Sequence, residues 1–183
     1  MSRLTAINPA EATGKAKDLL DAVQKKLGLT PNMMRTMAQS PAVLEAYLNF
    51  SGALASGSLN AKVREQIALA VGEANSCEYC VSAHTAIGKM VGLSEDDING
   101  SRQSSSGDAR TNAALKFAQT VVLERGEVSD RDIQRVREAG FTDGEIGEIV
   151  AAVALNIFTN YFNHIAGTEI DFPRVELTLK KSA

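Results

Sequence analysis

The sequence predicts an all-α fold: a single-domain helical bundle over residues 1–183, with six to eight helices and an extended C-terminal arm. Three observations carry that expectation. Apolar residues recur at three- and four-residue spacing through most of the chain, the four prolines fall between those stretches, and only the residues after Gly167 alternate at period two. With 183 residues, 44% of them hydrophobic, one substantial core is within reach.

Asn8-Pro9 puts a capping side chain before a proline at the first helical position. The first helix is therefore expected from there to about Leu27, packing through Ala12, Ala16, Leu19, Leu20 and Val23 and ending at Gly28. Pro31 and Pro41 frame a short segment with Met33, Met34 and Met37, adaptable thioethers suited to core filling or to an irregular apolar pocket. A helix from Ala42 to about Ser56 follows. Asn60 caps a mostly buried helix over 61–74, and Ser76 is expected to cap the next, from Cys77 to about Val91, with Gly92 as its stop. Ser94 opens a short acidic helix, and the polar run from Gly100 to Gly107 reads as a mobile surface loop. Asp108 and Ser129 each begin a further helix.

Thr142 and Glu145 fit a capping box ahead of the most apolar helix, which reaches about His164 and is expected to be buried through Ile146, Ile149, Val150, Val153, Ile157, Phe158, Tyr161 and Phe162. Asn156, Asn160 and Asn163 run along it as a polar stripe. Buried amides need partners; the stripe faces either the active-site cavity or a subunit interface, and interface or structural hydrogen bonding is the favoured expectation. Beyond Gly167, Val175, Leu177 and Leu179 alternate with polar residues, an arm that must lie on a neighbouring subunit or on its own core.

The chemistry concentrates in Glu65 to His84, within a motif core of residues 60–92. That stretch holds both cysteines and one of the two histidines. Cys77, Cys80 and His84 share one helix face at i, i+3 and i+7. If this helix folds back on the preceding one about Asn75, Glu65 comes opposite His84. Cys80 is one turn from His84, whereas Cys77 is roughly 10 Å away along the axis, so Cys80 is the better-activated thiol. Attack of its thiolate on a peroxide would give a sulfenic acid, and Cys77 is placed to condense with it into a disulfide. A dithiol donor must then reset the pair.

The pattern E-x11-C-x-x-C-x3-H, filled by Glu65, Cys77, Cys80 and His84, resembles the alkylhydroperoxidase D-like and carboxymuconolactone decarboxylase superfamily. L-G-L-T-P-N at 27–32, S-P-A-V-L at 40–44 and N-H-I-A-G-T-E-I-D-F-P at 163–173 are similar to its peroxidase-related branch. The resemblance implies Cys80 as peroxidatic, Cys77 as resolving, Glu65 and His84 as a proton relay, and a homo-oligomer, trimer or hexamer. One departure stands out: the best-studied members carry a histidine between the cysteines, where this chain has Tyr79, and a phenol is no base at neutral pH.

Other readings of the motif remain open in the sequence. Two cysteines, a histidine and a carboxylate are also four possible zinc ligands, though a structural zinc CxxC usually sits on a tight turn with its partners elsewhere. A general dithiol-disulfide oxidoreductase, or a non-enzymatic scaffold with the cysteines packed as small hydrophobes, would use the same residues differently. No flavin or haem motif occurs, so no cofactor and no metal is expected, and lactone decarboxylation has no evident use for a CxxC. A net charge of −3 without a basic stripe argues against nucleic acid and anionic membrane. No apolar run approaches the ~20 residues of a spanning helix and the N-terminus lacks a secretory core, so the expected location is cytoplasmic. Glu145 and His164 repeat the spacing of Glu65 and His84 without cysteines, as a duplicated helical unit would.

Overall fold

The computed structural model describes residues 2–178, all-helical with no strand among them. Nine helices follow in order: α1 Gly14–Leu27, α2 Asn32–Met37, α3 Pro41–Ala55, α4 Ala61–Ala74, α5 Glu78–Met90, α6 Glu95–Arg102, α7 Ala109–Leu123, α8 Asp130–Glu138 and α9 Asp143–Ala166. That is one more than the expected six to eight, because the methionine segment makes its own short helix α2. Five of the capping residues read from the sequence do their work. Asn60 and Asp108 accept N–H bonds at the heads of α4 and α7, and Ser94, Ser129 and Thr142 close full capping boxes with Asp97, Asp132 and Glu145.

α4 is the central rod, packed against α5, α6, α7 and α9. Its run Gln66–Glu73 is buried on every side, which its small and aliphatic residues permit. One core joins α4, α7, α8 and α9 through Ile67, Val71, Leu115, Ala118, Val136, Ile149 and Val153. A second gathers Leu20 and Val23 of α1, the three methionines of α2 and Leu44 of α3 around the head of α5, where Cys77, Tyr79 and Cys80 lie. α4 and α5 approach closely at Gly72, where a Cβ would stand 3.3 Å from Val81 Cγ2 and 3.6 Å from Cys80 Cβ.

Four expectations change. The first helix begins at Gly14; Asn8 instead caps a turn through Ala10 N and Glu11 N. The 100–107 segment is not a free loop: Ser101, Arg102 and Ser104 are buried, and Arg102 Nε donates to the buried Glu73 carboxylate at 2.8 Å. α9 has 24 residues, and its most apolar window reaches a mean hydropathy of 1.3, so among the described residues one helix is long and apolar enough to span a membrane by length and composition. Here it is a core helix, with Asn156, Asn160 and Asn163 buried beside Ile149 and Val153. Its outer face is open, however, since Val150, Phe158 and Tyr161 are exposed rather than buried.

The arm lies on its own chain. Asp171 Oδ2 accepts from Asn32 N at 2.7 Å, Arg174 grips Glu78 with two bonds of 2.7 and 2.9 Å, Val175 N reaches Ser82 Oγ at 3.0 Å, and Thr178 binds Glu73 Oε1 through its N–H and hydroxyl. Residues 171–178 form neither helix nor paired strand, with bends at Phe172 and Thr178; Leu179 lies outside the described residues.

Candidate active site

The site is built on the reversal between α4 and α5. Ser76 takes φ +56°, its N–H bonds Glu73 O, and Cys77 N–H bonds Gly72 O at 2.8 Å. This is the left-handed closure that ends a helix, with serine where glycine is usual. Ser76 therefore terminates α4 instead of capping α5. Cys77 is the cap, its sulfur accepting from Cys80 N at 3.3 Å. α9 braces the turn: Asn75 Nδ2 donates to Asn160 Oδ1 at 2.9 Å, and His164 Nε2 lies 3.1 Å from Asn75 O, to which it donates.

Cys77 and Cys80 are joined in a disulfide, with Cα atoms 5.3 Å apart, and each is 2% exposed. His84 follows Cys80 by one helical turn. Its Nδ1 lies 2.7 Å from Glu65 Oε2, the fold-back contact the spacing predicts. A carboxylate only accepts, so Nδ1 carries the hydrogen and Nε2 is left as the basic nitrogen. Both side chains keep about a fifth of their surface open, enough for proton exchange with solvent. Among the described residues no three His, Cys, Asp or Glu side chains converge on a point where a metal could sit.

Tyr79, in the position between the cysteines, is an anchor and not a base. It is buried, its hydroxyl accepts from Met33 N at 3.2 Å, and its ring meets Phe172 edge-on at 5.8 Å. Burial pushes its pKa well above the ordinary phenol value, and Asp171 adds to that. Two further residues stand beside the site, and of these only Tyr47 has no place in the sequence reading. Tyr47 on α3 packs against the same core, and its pKa is pushed up to about 12, first by burial and then by the charge of Glu65. Asn163 belongs to the polar stripe, for which a structural or interface role is the favoured expectation and the active-site cavity the alternative; it donates to Cys80 Sγ at 3.4 Å, on the side of the alternative. The stripe was visible; its neighbour, 83 positions away, was not. Glu145 and His164, the repeated spacing, are not paired with each other: Glu145 binds Thr142 and Arg110, and His164 serves the Asn75 carbonyl.

Comparison with known proteins agrees with the fold. Residues 41–120 match the model of the carboxymuconolactone decarboxylase family. An uncharacterized peroxidase-related protein from Ralstonia eutropha JMP134 with an alkylhydroperoxidase AhpD core is 29% identical, covering 93% of this chain and 92% of its own, with a TM-score of 0.84. An uncharacterized peroxidase-related protein from Silicibacter sp. TM1040 shares the fold at 24% identity, 91% and 92% coverage and a TM-score of 0.79. So does the debrominase Bmp8 in complex with 2,3,4-tribromopyrrole, at 18% identity, 93% and 92% coverage and a TM-score of 0.80. An uncharacterized protein of Haemophilus influenzae is 51% identical over 47 residues; the match spans 25% of this chain and 42% of that relative's length.

Proposed function

From a chain that belongs to the alkylhydroperoxidase D-like and carboxymuconolactone decarboxylase superfamily, we propose a thiol-dependent peroxidase that reduces hydrogen peroxide or an organic hydroperoxide through a Cys77–Cys80 dithiol and disulfide cycle. One observation carries this reading: two sulfurs joined at the head of α5 stand one turn before an imidazole bonded to a carboxylate of α4. In the reduced protein, His84 Nε2 takes the Cys80 proton while Glu65 supports the resulting imidazolium. The thiolate attacks the terminal peroxide oxygen; the S–O bond forms, the O–O bond breaks, and the leaving alkoxide takes that proton and departs as alcohol, or as water from hydrogen peroxide. Cys77 then attacks the Cys80 sulfenic acid, forming S–S and expelling water. A dithiol reductant closes the cycle by becoming a disulfide itself.

The burial of both sulfurs favours a small oxidant over a folded disulfide substrate, which separates this reading from a general dithiol-disulfide oxidoreductase. A reducing, cytoplasmic compartment suits such a cycle. Association with further copies of the chain is part of the proposal. Val150, Phe158, Tyr161 and Ile165 form an exposed apolar stripe on α9, at 43, 41, 56 and 65% exposure, without an intervening charge on that line. Light scattering should give a multiple of the chain mass, and Tyr161→Glu should lower it.

The decisive measurement is loss of hydroperoxide on mixing with prereduced protein, with Cys80→Ser as control. Turnover in the wild type and none in the variant is expected; equal consumption by both would refute the assignment.

A further inference from the structure

Asn163 is 4% exposed on the inner face of α9, level with the sulfur pair. Its Nδ2 donates to Cys80 Sγ at 3.4 Å and to Met33 Sδ at 3.3 Å, while its buried Oδ1 has no hydrogen-bond partner among the described residues. Turned over, the amide would aim its carbonyl at two sulfurs and lose both bonds. Thioether and disulfide sulfurs are weak acceptors, so this donor is poorly matched to the oxidised state. It is well matched to the reduced one, because a hydrogen bond to an ionised partner is roughly twice as strong as a neutral one. One turn earlier, Asn160 Nδ2 is a buried donor without a partner. A donor and an acceptor thus stand open on adjoining turns, the complement of a hydroperoxyl group.

We propose that Asn163 is a catalytic residue: its Nδ2 donor holds Cys80 as thiolate, and its Oδ1 accepts the O–H of the hydroperoxide lined up against that sulfur. The second half rests on the peroxidase reading; the first does not. The O–H proton stays on the oxygen that moves to sulfur, so Oδ1 holds it in the peroxide and again in the sulfenic acid. Asn163 transfers no proton. The thiolate electron pair makes the S–O bond, the O–O pair leaves with the alkoxide, and the proton from His84 completes the alcohol.

Ionisable groups stand on several of the elements packed around the head of α5. Glu65 comes from α4, Tyr79 and His84 from α5, Tyr47 from α3, His164 from α9 and Asp171 from the arm. α2 adds Arg35, committed to Asn32 Oδ1 and Ile7 O, and α1 presents Leu20 and Val23. The experiment holds all of these constant. In a Cys77→Ser background Cys80 is the sole thiol, and its ultraviolet thiolate absorbance is followed against pH for Asn163, Asn163→Ala and the near-isosteric Asn163→Asp. Asn156→Ala, which removes a bond from Nδ2 to Ala152 O of its own helix, controls for general damage to α9, and melting curves verify folding.

The apparent thiol pKa should rise by about one unit or more in Asn163→Ala, rise further in Asn163→Asp, and hold in Asn156→Ala. Hydroperoxide-driven loss of the thiolate should slow in both Asn163 variants by more than the fall in thiolate fraction accounts for. An unmoved titration in folded Asn163→Ala and Asn163→Asp overturns the proposal. Shifted titrations with no hydroperoxide consumption in the wild type would instead remove the peroxidase reading and leave the thiolate donor standing.

Discussion

Two segments of this chain carry a glutamate and a histidine nineteen residues apart, and they have opposite fates. Glu65 sits on α4 and His84 on α5, and the reversal at Asn75 and Ser76 brings them to 2.7 Å. Glu145 and His164 both sit on α9, an unbroken helix, so about 28 Å of axis separates them at 1.5 Å per residue. Glu145 closes a capping box and binds Arg110; His164 braces Asn75, the very turn that makes the other pair. Spacing alone builds no relay. The break does, and Gly72 permits it by letting α4 and α5 approach closely on the way into the turn. The longer helix keeps the second histidine of the chain as a support for the first one's hairpin.

The comparison breaks most visibly at the histidines. His84→Gln should lower the rate of hydroperoxide consumption by about 10²-fold or more, Glu65→Gln by about tenfold, which corresponds to roughly 1.4 kcal/mol of lost support to the imidazolium. Both should move the pH profile of Cys80 alkylation upward, since each weakens what favours the thiolate. His164→Gln should leave that profile in place and cost about 1 kcal/mol of stability for the weakened bond to Asn75 O, read by urea unfolding. A shifted profile in His164→Gln would make α9 part of the relay.

What the sequence made legible follows range. Capping residues act within three positions of themselves, so Asn60, Ser94, Asp108, Ser129 and Thr142 could each be read locally, and so could the Glu65–His84 contact once a turn was located at Asn75. Ser76 reads as the cap of α5 because serine is a good cap, and the backbone departs from that reading. Its left-handed backbone is fixed instead by two carbonyls of α4, Glu73 O and Gly72 O, that need donors. The polar run after Gly100 looked like solvent-facing loop because the buried Glu73 that claims Arg102 is 29 positions away. Asn163 likewise shows its amide in the sequence and its sulfur partner only in the fold.

A smaller effect tests the turn itself. Ser76→Val places a β-branched residue at φ +56°, a conformation that costs L-residues about 1–2 kcal/mol. Serine already bears that cost, and the branched Cβ adds to it; stability should fall by about 1 kcal/mol further, and alkylation of Cys80 should slow as the hairpin loosens. Ser76→Gly should retain both, because glycine adopts this conformation freely. Equal stability of Ser76→Val and Ser76→Gly would show that the turn does not enforce the pairing.

The smallest expected effect belongs to the pair that never forms, and it has a definite sign. The Thr142 N–H bond, first, and the Arg110 guanidinium, second, hold the Glu145 carboxyl below the usual carboxylate range. A carboxyl with a depressed folded-state pKa contributes stability above its unfolded pKa, near 4.3, and loses that contribution as pH falls through the folded value. Glu145→Gln keeps the capping geometry but removes the charge at the α9 N-terminus and the ion pair with Arg110. The loss should be about 0.5 kcal/mol at neutral pH, and should vanish toward acid as the wild-type carboxyl protonates. Urea unfolding of both proteins across the acid limb reads this directly. The same substitution should leave Cys80 alkylation untouched, since Arg110 and Thr142, not a histidine or a sulfur, are what Glu145 meets.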